Sequence, residues 1–447
     1  MFLLETGIII VAALLLMALI MLNFRDFVED TVVVKLSTLL APERIWVPLS
    51  VVLLLFIVGG VLPGRLFARI PVSQVFRRYT EGKKGWKRPL LFVQFAGVAF
   101  ISGLMCVVMS QYQYVLKKDM GYNPKQIAIG NAYWDNEATR DAAYQFFKGL
   151  PYVEAVSSAN STPISGYSGS MIHSESGQAL FSCRSSYFMR EDFPALMGMT
   201  MKTGRMARDK EEVVVNETFA EMMRWGDDVV GRTVYTEGNT FKVVGQLKDF
   251  QIESFRTEKM PFIARGNKNF YGTVHVRLRE PFTENLQKLN RDVAEAFRDQ
   301  TIDFTGYEKR IENSYNSVRV FRNATLMAAV TMFFIMLMGL IGYTTDEVRR
   351  RSKEIAIRKV NGAEASGILE MLSRDVLVVA APAVVIGTVV AWYVNGIWME
   401  QFAERIPISW AVYVLVVMAN LVIIVACVLW KSWQIANENP VNSIKSE

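Results

Sequence analysis

The chain has 447 residues, of which 51% are hydrophobic and 21% charged, with a formal net charge of +6 and a mean hydropathy of +0.20. Its apolar residues are gathered into long uncharged blocks, which points to a membrane protein and excludes a disordered chain, a disulfide scaffold and a collagen-like repeat. In such a protein a mild basic excess reflects Lys and Arg kept on one side of the bilayer, and gives no sign of nucleic-acid binding.

Six blocks approach the roughly 20 apolar residues that a spanning helix needs. They are 6–23, 46–67, 89–113, 324–345, 374–397 and 410–431. The first has no basic residue before it. Glu5 stands where a signal peptide carries positive charge, and no A-x-A site follows, so it reads as a retained span. Between the second and third blocks, Arg65, Arg69, Arg77, Arg78, Lys83, Lys84, Lys87 and Arg88 oppose one acid, Glu81. Between the fourth and fifth lie Arg349, Arg350, Arg351, Lys353, Arg358, Lys359 and Arg374. The alternate loops hold only Arg25, Lys35 and Arg44, or Arg405 alone. The positive-inside rule then puts both termini in the cytoplasm and the polar stretch 114–323 outside.

That outer stretch reads as a mixed α/β domain. Short or period-two apolar runs at 126–130, 212–216, 240–247 and 271–278 predict strands. Helical periodicity appears at 137–149, 217–224 and 284–299, where Leu286, Leu289, Val293 and Phe297 recur at three- and four-residue steps. Ser and Gly are dense from 157 to 178, which predicts an exposed loop or hairpin tip. Cys183 is the sole cysteine in the stretch, so no disulfide forms within it. His173 and His275 stand far apart, with no HExxH or CxxC, and no GxxxxGK[ST] occurs anywhere. The expectation is therefore no metal site, no P-loop and no nucleophile–base pair in this chain.

Two further patterns organise the sequence. Ile70-Pro71-Val72-Ser73-Gln74-Val75 after the second block is echoed by Asn439-Pro440-Val441-Asn442-Ser443-Ile444 after the sixth. Only the second copy is preceded by a further span and a basic loop, which leads to the expectation of a duplicated protein entered partway through its first copy. The other pattern runs from Arg349 through Arg350, Arg351, Lys353, Glu354, Ile355, Ile357, Arg358 and Lys359 to Gly362. Apolar and charged positions alternate as on a short interfacial helix, and Gly362 can close it in the left-handed conformation. On charge alone the segment is equally a positive anchor with snorkelling side chains.

As a whole, that string closely resembles the RRxxEIxIRKxxGA signature of FtsX-like/MacB-type ABC transporter permeases. Other pieces follow in the same order. Phe241-Lys-Val-Val-Gly245-Gln-Leu-Lys248-Asp249-Phe250, with Glu253-Ser254, resembles the GVVKDFhfeSL segment of that family's periplasmic domain. Gly204-Arg205 with Val213-Val-Val-Asn216-Glu217 is similar to its GR…vvvNE pattern. Phe92-Val93-Gln94-Phe95 is similar to the start of its central span, and Pro440-Val441 to its terminal Pro-Val.

The resemblance implies a polytopic α-helical membrane protein with six spans and one extracytoplasmic α/β domain. Residues 1–80 would be two spans ending a first FtsX-like copy, and 81–113 a cytoplasmic linker and central span. Residues 114–323 would be a MacB-like periplasmic domain, and 324–447 a second FtsX-like domain of three spans. The implied protein is the permease subunit of an ABC transporter in the cell inner membrane. A separate cytoplasmic ATPase would bind the ATP and Mg, leaving no cofactor and no catalytic residue here. Its ATPase-coupling residues would be Arg349, Arg350, Arg351, Lys353, Glu354, Ile355, Ile357, Arg358, Lys359 and Gly362. Its other partners would be membrane lipids and a second permease or permease copy, and no nucleic acid. The helical run 308–322 before the fourth block would join it into an unbroken stalk. No span has Lys, Arg or Asp at its centre, which favours a mechanical transmitter over an ion-driven carrier. A membrane-anchored sensor with an extracytoplasmic ligand-binding domain and a membrane-tethered hydrolase stay open as alternatives.

Overall fold

A computed structural model describes residues 2–32, 34–39, 41–61, 64–65, 87–134, 136–165, 167–188, 190–266, 271–351, 354–355, 357–358 and 365–436. The Pro71 and Pro440 copies, Lys353, Lys359, Val360, Gly362 and most of the first basic loop lie outside the described residues. The chain forms two compact units. A helical unit takes Met1–Ser110, Val318–Ile397 and Pro407–Glu447; an α/β unit takes Gln111–Ser317 with Trp398–Ile406.

The helical unit begins with α1 (Phe2–Asn23), the short helices α2 (Arg25–Val32) and α3 (Leu36–Leu39), and α4 (Trp46–Phe56). α4 runs into five residues of π-helix at Ile57–Val61. Gly59 and Gly60 weaken the helix there, and the Thr6 hydroxyl donates to the Gly59 carbonyl at 3.2 Å. Within the expected span 46–67 the described residues include an apolar helix, Trp46–Val61. Among the described residues five helices, not six, are long and apolar enough to cross a membrane. The next of them is α5 (Lys87–Lys117), 31 residues without a break.

The α/β unit opens with β1 (Ile127–Tyr133), α6 (Glu137–Gly149) and β2 (Val153–Ala159). β3 (Ser168–His173), β4 (Ala179–Phe188) and the turn-like α7 (Phe193–Leu196) follow. Then come β5 (Met201–Gly204), β6 (Glu212–Asn216), α8 (Glu217–Met222), β7 (Thr233–Thr236) and β8 (Asn239–Leu247). β9 (Phe262–Gly266), β10 (Tyr271–Leu278), α9 (Phe282–Ala296), β11 (Thr305–Gly306) and α10 (Tyr307–Ser314) complete it.

These strands make two lobes. In one, the antiparallel order β11-β1-β10-β2 packs on α6 and α9 through Phe147, Val156, Val276, Leu289, Val293 and Phe304. In the other, the order β4-β3-β7-β8-β6-β9 returns to its start, because β9 pairs with β4 in parallel from Arg184↔Phe262 to Phe188↔Gly266. The ring is a closed barrel with no free edge inside it, filled by Ile172, Val213, Val215, Val234, Val243 and Ile263. The lobes meet in the sheet at a single pair, Ala159↔Phe188.

The Ser- and Gly-rich stretch 157–178 is an exposed hairpin tip only at 175–178, between β3 and β4. It supplies the end of β2 and all of β3, and Ser157, Ser158, Ser161, Thr162 and Ser170 are buried. Small hydroxyls are accepted inside because they find partners. Ser157 donates to Asp192 at 2.5 Å, and Ser170 donates to Glu237 at 2.8 Å.

The two family-like strings of this unit tie one knot. Asn216 caps α8 by accepting from the Phe219 N–H at 3.1 Å, and its amide donates to Asp249 at 2.9 Å. Asp249 also accepts from the Thr218 N–H at 2.9 Å, and the Asp249 N–H donates to Glu217 at 3.1 Å. Gly204 has φ +77°, and a Cβ there would lie 2.3 Å from the Val244 carbonyl. These motif residues act as structural fasteners.

Helices α11 (Asn316–Arg350), α12 (Ala365–Met399) and α13 (Trp410–Ala436) finish the chain. Helical structure before α11 is broken at Tyr315, so α10 and α11 are separate where the sequence predicts one run. Tyr315 turns inward, fully buried, and its hydroxyl accepts from the Phe255 N–H at 2.9 Å. Phe95, Ala99, Met336, Leu340, Ala380, Val384, Ile424 and Val428 join α5, α11, α12 and α13 into one core. α5 and α12 approach so closely that a Cβ on Gly387 would sit 2.1 Å from the Ala96 carbonyl. Small residues at such crossings are how helices associate in lipid, where apolar burial gives little drive.

Candidate functional site

The basic segment begins inside α11. Glu347, its side chain 7% exposed, accepts from Arg350 at 2.7 Å and from Arg351 at 2.6 Å. Arg351 also reaches Asp375 on α12 at 2.6 Å. One guanidinium therefore clamps the end of α11 to α12, its Nε on Glu347 and an Nη on Asp375. The clamp uses two acids, Glu347 and Asp375, that charge counting passes over. The signal available was Glu347 four residues before Arg351, a spacing that pairs on a helix.

Beyond the clamp the backbone stays helical at 354–355 and 357–358. Glu354 accepts from Arg358 at 2.8 Å, with both side chains about half exposed. Ile355 is partly buried against Val348, Met371 and Leu372. Ile357 is 62% exposed. The structure thus brings Arg350, Arg351, Glu354, Ile355 and Arg358 into one short stretch and turns Ile357 outward. For Arg349 only the backbone, within α11, is described.

A second arrangement lies wholly in the α/β unit, where the sequence marked nothing. The segment Trp398–Ile406, which joins α12 to α13, is part of that unit. Gln111, fully buried, donates to the Glu404 carbonyl at 2.9 Å and accepts from the Ile406 N–H at 3.0 Å. It thereby treats the segment as a neighbouring strand would. Lys118 pairs with Glu404 and lies 5.5 Å from the Phe255 ring. Arg256 donates to Gln401 at 3.0 Å and to Ser317 at 2.8 Å. Phe402 is fully buried, 5.2 Å from the Trp398 ring. One seam therefore fixes the residues that end α5, begin α11 and link α12 to α13.

His275 is completely buried, and its Nδ1 lies 3.0 Å from the Thr273 carbonyl. Burial holds its pKa down at about 3. His173 is at the end of β3, on another strand. Among the described residues no group of His, Cys, Asp or Glu could hold a metal ion.

Apolar helices long enough to cross a bilayer, joined to a two-lobed α/β unit, define a multi-pass membrane protein with one extracytoplasmic domain. Residues 95–293 match the family model of the MacB-like periplasmic core domain, and residues 324–440 that of the FtsX-like permease C-terminal region. The chain belongs to the MacB/FtsX-like family of ABC transporter permeases. Similar solved structures include the periplasmic region of MacB from Actinobacillus actinomycetemcomitans, at 14% identity and TM-score 0.33, covering 45% of this chain and 97% of that one. The extracellular domain of the noncanonic ABC-type transporter YknZ from Gram-positive bacteria is similar at 13% identity and TM-score 0.30, covering 40% and 98%. No curated protein matches the chain.

Proposed function

We propose that this chain is the membrane subunit through which a separate cytoplasmic ABC ATPase moves an extracytoplasmic domain. The observation that carries the reading is α11. It starts at Asn316 in the α/β unit and ends at Arg350 beside the basic segment, 35 residues later. At 1.5 Å per residue such a helix is roughly 50 Å long, against about 30 Å of hydrocarbon. A displacement at one end is therefore delivered to the other.

In this reading both termini and the 349–358 segment face the cytoplasm. ATP and Mg are held by the partner, and this chain contributes no catalytic group. The exposed Glu354, Ile357 and Arg358 meet the ATPase, with Arg349 and Arg350 at the headgroups and Lys353, Lys359 and Gly362 completing the contact. The Arg351 clamp passes the motion to α11 and α12 together. The α/β domain then acts on a substrate exported across, or extracted from, the membrane. A second permease or permease copy supplies the facing half.

The test is to reconstitute the chain with its ATPase in proteoliposomes. Hydrolysis should rise on adding the chain, and the separation of a probe pair on the α/β unit and the 398–406 segment should change with ATP. Stable copurification without any ATP-linked change in the α/β unit would defeat the mechanical reading. Failure of any ATPase to copurify would favour the sensor alternative.

A further inference from the structure

The α/β unit carries a polar cleft of about 390 Å³, lined by Lys202, Glu217, Glu221, Arg224, Asp227 and Gln246 with Ala220 and Gly226. This volume lies within the range of small-ligand sites. Several independent features converge on it. β5 breaks register with β8 between Met201 and Thr203, and a bulge of this kind re-aims the intervening side chain, Lys202. Lys202 pairs with Glu217 at 2.8 Å. α8 ends with the Trp225 N–H on the Ala220 carbonyl at 3.1 Å, a closure that places its penultimate residue in the left-handed region. Glycine usually fills that place, and here it is Arg224, at φ +57°. The backbone thus accepts strain to put a guanidinium at the rim.

The cleft floor supplies the sign that a ligand is involved. Gln246 is 3% exposed. Its backbone is held between β6 and β5, and among the described residues its side-chain amide has no hydrogen-bond partner while lining the cleft. Its amide opens into the cleft and offers free donors and a free acceptor to whatever enters. At the rim Arg224, Glu221 and Asp227 form no ion pair among the described residues. They leave one cation and two carboxylates for an incoming group.

We propose that this cleft binds a small zwitterion of the amino-acid and short-peptide class, with its carboxylate on Arg224, its ammonium between Glu221 and Asp227, and its amide or carboxylate edge on Gln246. Three carboxylates in the lining disfavour a phosphate or other pure anion. The charged and polar side chains that predominate in the lining disfavour an acyl chain. A bare metal ion would leave Arg224 and Gln246 without a role. The proposal does not depend on ATPase coupling, because all its groups lie within the α/β unit.

The experiment is calorimetric titration of the full chain in nanodiscs with alanine and with alanyl-alanine, each also N-acetylated. Saturable binding of at least one free zwitterion is expected, weakened about tenfold or more by N-acetylation, as befits loss of a charge-assisted hydrogen bond. Alanine as the tighter ligand would assign the amino-acid member of the class, and alanyl-alanine the peptide member. Arg224→Gly should weaken binding by a similar factor while the melting temperature holds or rises, since glycine relieves the left-handed strain. Gln246→Leu should weaken binding by a comparable factor, since the amide donors and acceptor at the cleft floor are removed. Absence of saturable binding, equal binding of acetylated and free ligands, or wild-type binding by Arg224→Gly would each overturn the proposal.

Discussion

The basic segment and the 398–406 seam are fastened differently. At the basic segment, the link from α11 to α12 is ionic: Arg351 bridges Glu347 and Asp375, and Glu354 with Arg358 stands half exposed. At the 398–406 seam the link is a buried amide, Gln111, and a buried ring, Phe402. Half-exposed ion pairs stabilise little and exchange partners readily. Buried amides and aromatic rings are expensive to displace. The link at the basic segment is thus mainly ionic, whereas the seam adds a buried amide and a buried ring to its own Lys118–Glu404 pair.

The comparison is broken most severely at Phe402. Phe402→Ala removes a fully buried ring and should destabilise the seam by about 3–5 kcal/mol. Hydrogen exchange across 398–406 should then quicken far more than exchange in the barrel strands. Equal protection in mutant and parent would show that the seam is not held by packing.

Acid sharpens the comparison, because it acts inside the α/β unit and away from the ionic clamp. His275 has its pKa lowered from 6.5 to about 3, chiefly by burial, with the nearby Arg310 adding to the effect. The unfolded chain therefore binds a proton below pH 6.5 that the folded domain refuses. Stability from this group is complete above pH 6.5 and falls as pH drops toward 3, with roughly 3 kcal/mol gone by pH 4. Denaturant unfolding of the α/β unit should show this acid limb, and His275→Phe should flatten it. An unchanged limb in that variant would assign the loss to other groups.

How much of this was legible in the sequence depends on how local the cause is. Helix α6 begins at Glu137, as its periodicity predicts, because Asn136 caps it by accepting from the Thr139 N–H at 3.0 Å. β6 and β10 were readable from their apolar pattern. β3 was hidden, since only one of its two buried residues, Ile172, is apolar and the other is Ser170. The barrel closure was hidden as well, because it pairs β4 with β9 across distant sequence. The basic segment announced itself as a string, yet its acids Glu347 and Asp375 matter only once α11 and α12 are packed. Gln111 is one neutral residue among many, and only the fold shows what it holds.

The clamp itself is a middle case. Asp375→Ala removes one partner of Arg351 at 2.6 Å while leaving Glu347 in place. A loss of about 1–2 kcal/mol is expected for a partly exposed charged hydrogen bond. Spin labels at the Arg350 end of α11 and the Ala365 end of α12 should report a broader distance distribution. A distribution as narrow as the parent's would mean that apolar packing alone holds the helix ends together.

The smallest effect on stability should carry the largest effect on function. Glu354 and Arg358 pair at 2.8 Å with side chains 46% and 54% exposed, so replacing both by Ala should shift stability by no more than about 0.5 kcal/mol. Neither side chain supports the helix core, which Ile355 does through Val348, Met371 and Leu372. If the pair exists to meet the ATPase, the double variant inserts and folds normally, yet adding it no longer stimulates hydrolysis. Arg350→Ala removes only one of the two Arg contacts to Glu347, so it should trim anchoring and leave stimulation largely intact. The contrast between these two variants separates a docking surface from a charged anchor. Normal stimulation by the Glu354/Arg358 double variant would return the segment to the role of holding a helix end at the lipid headgroups.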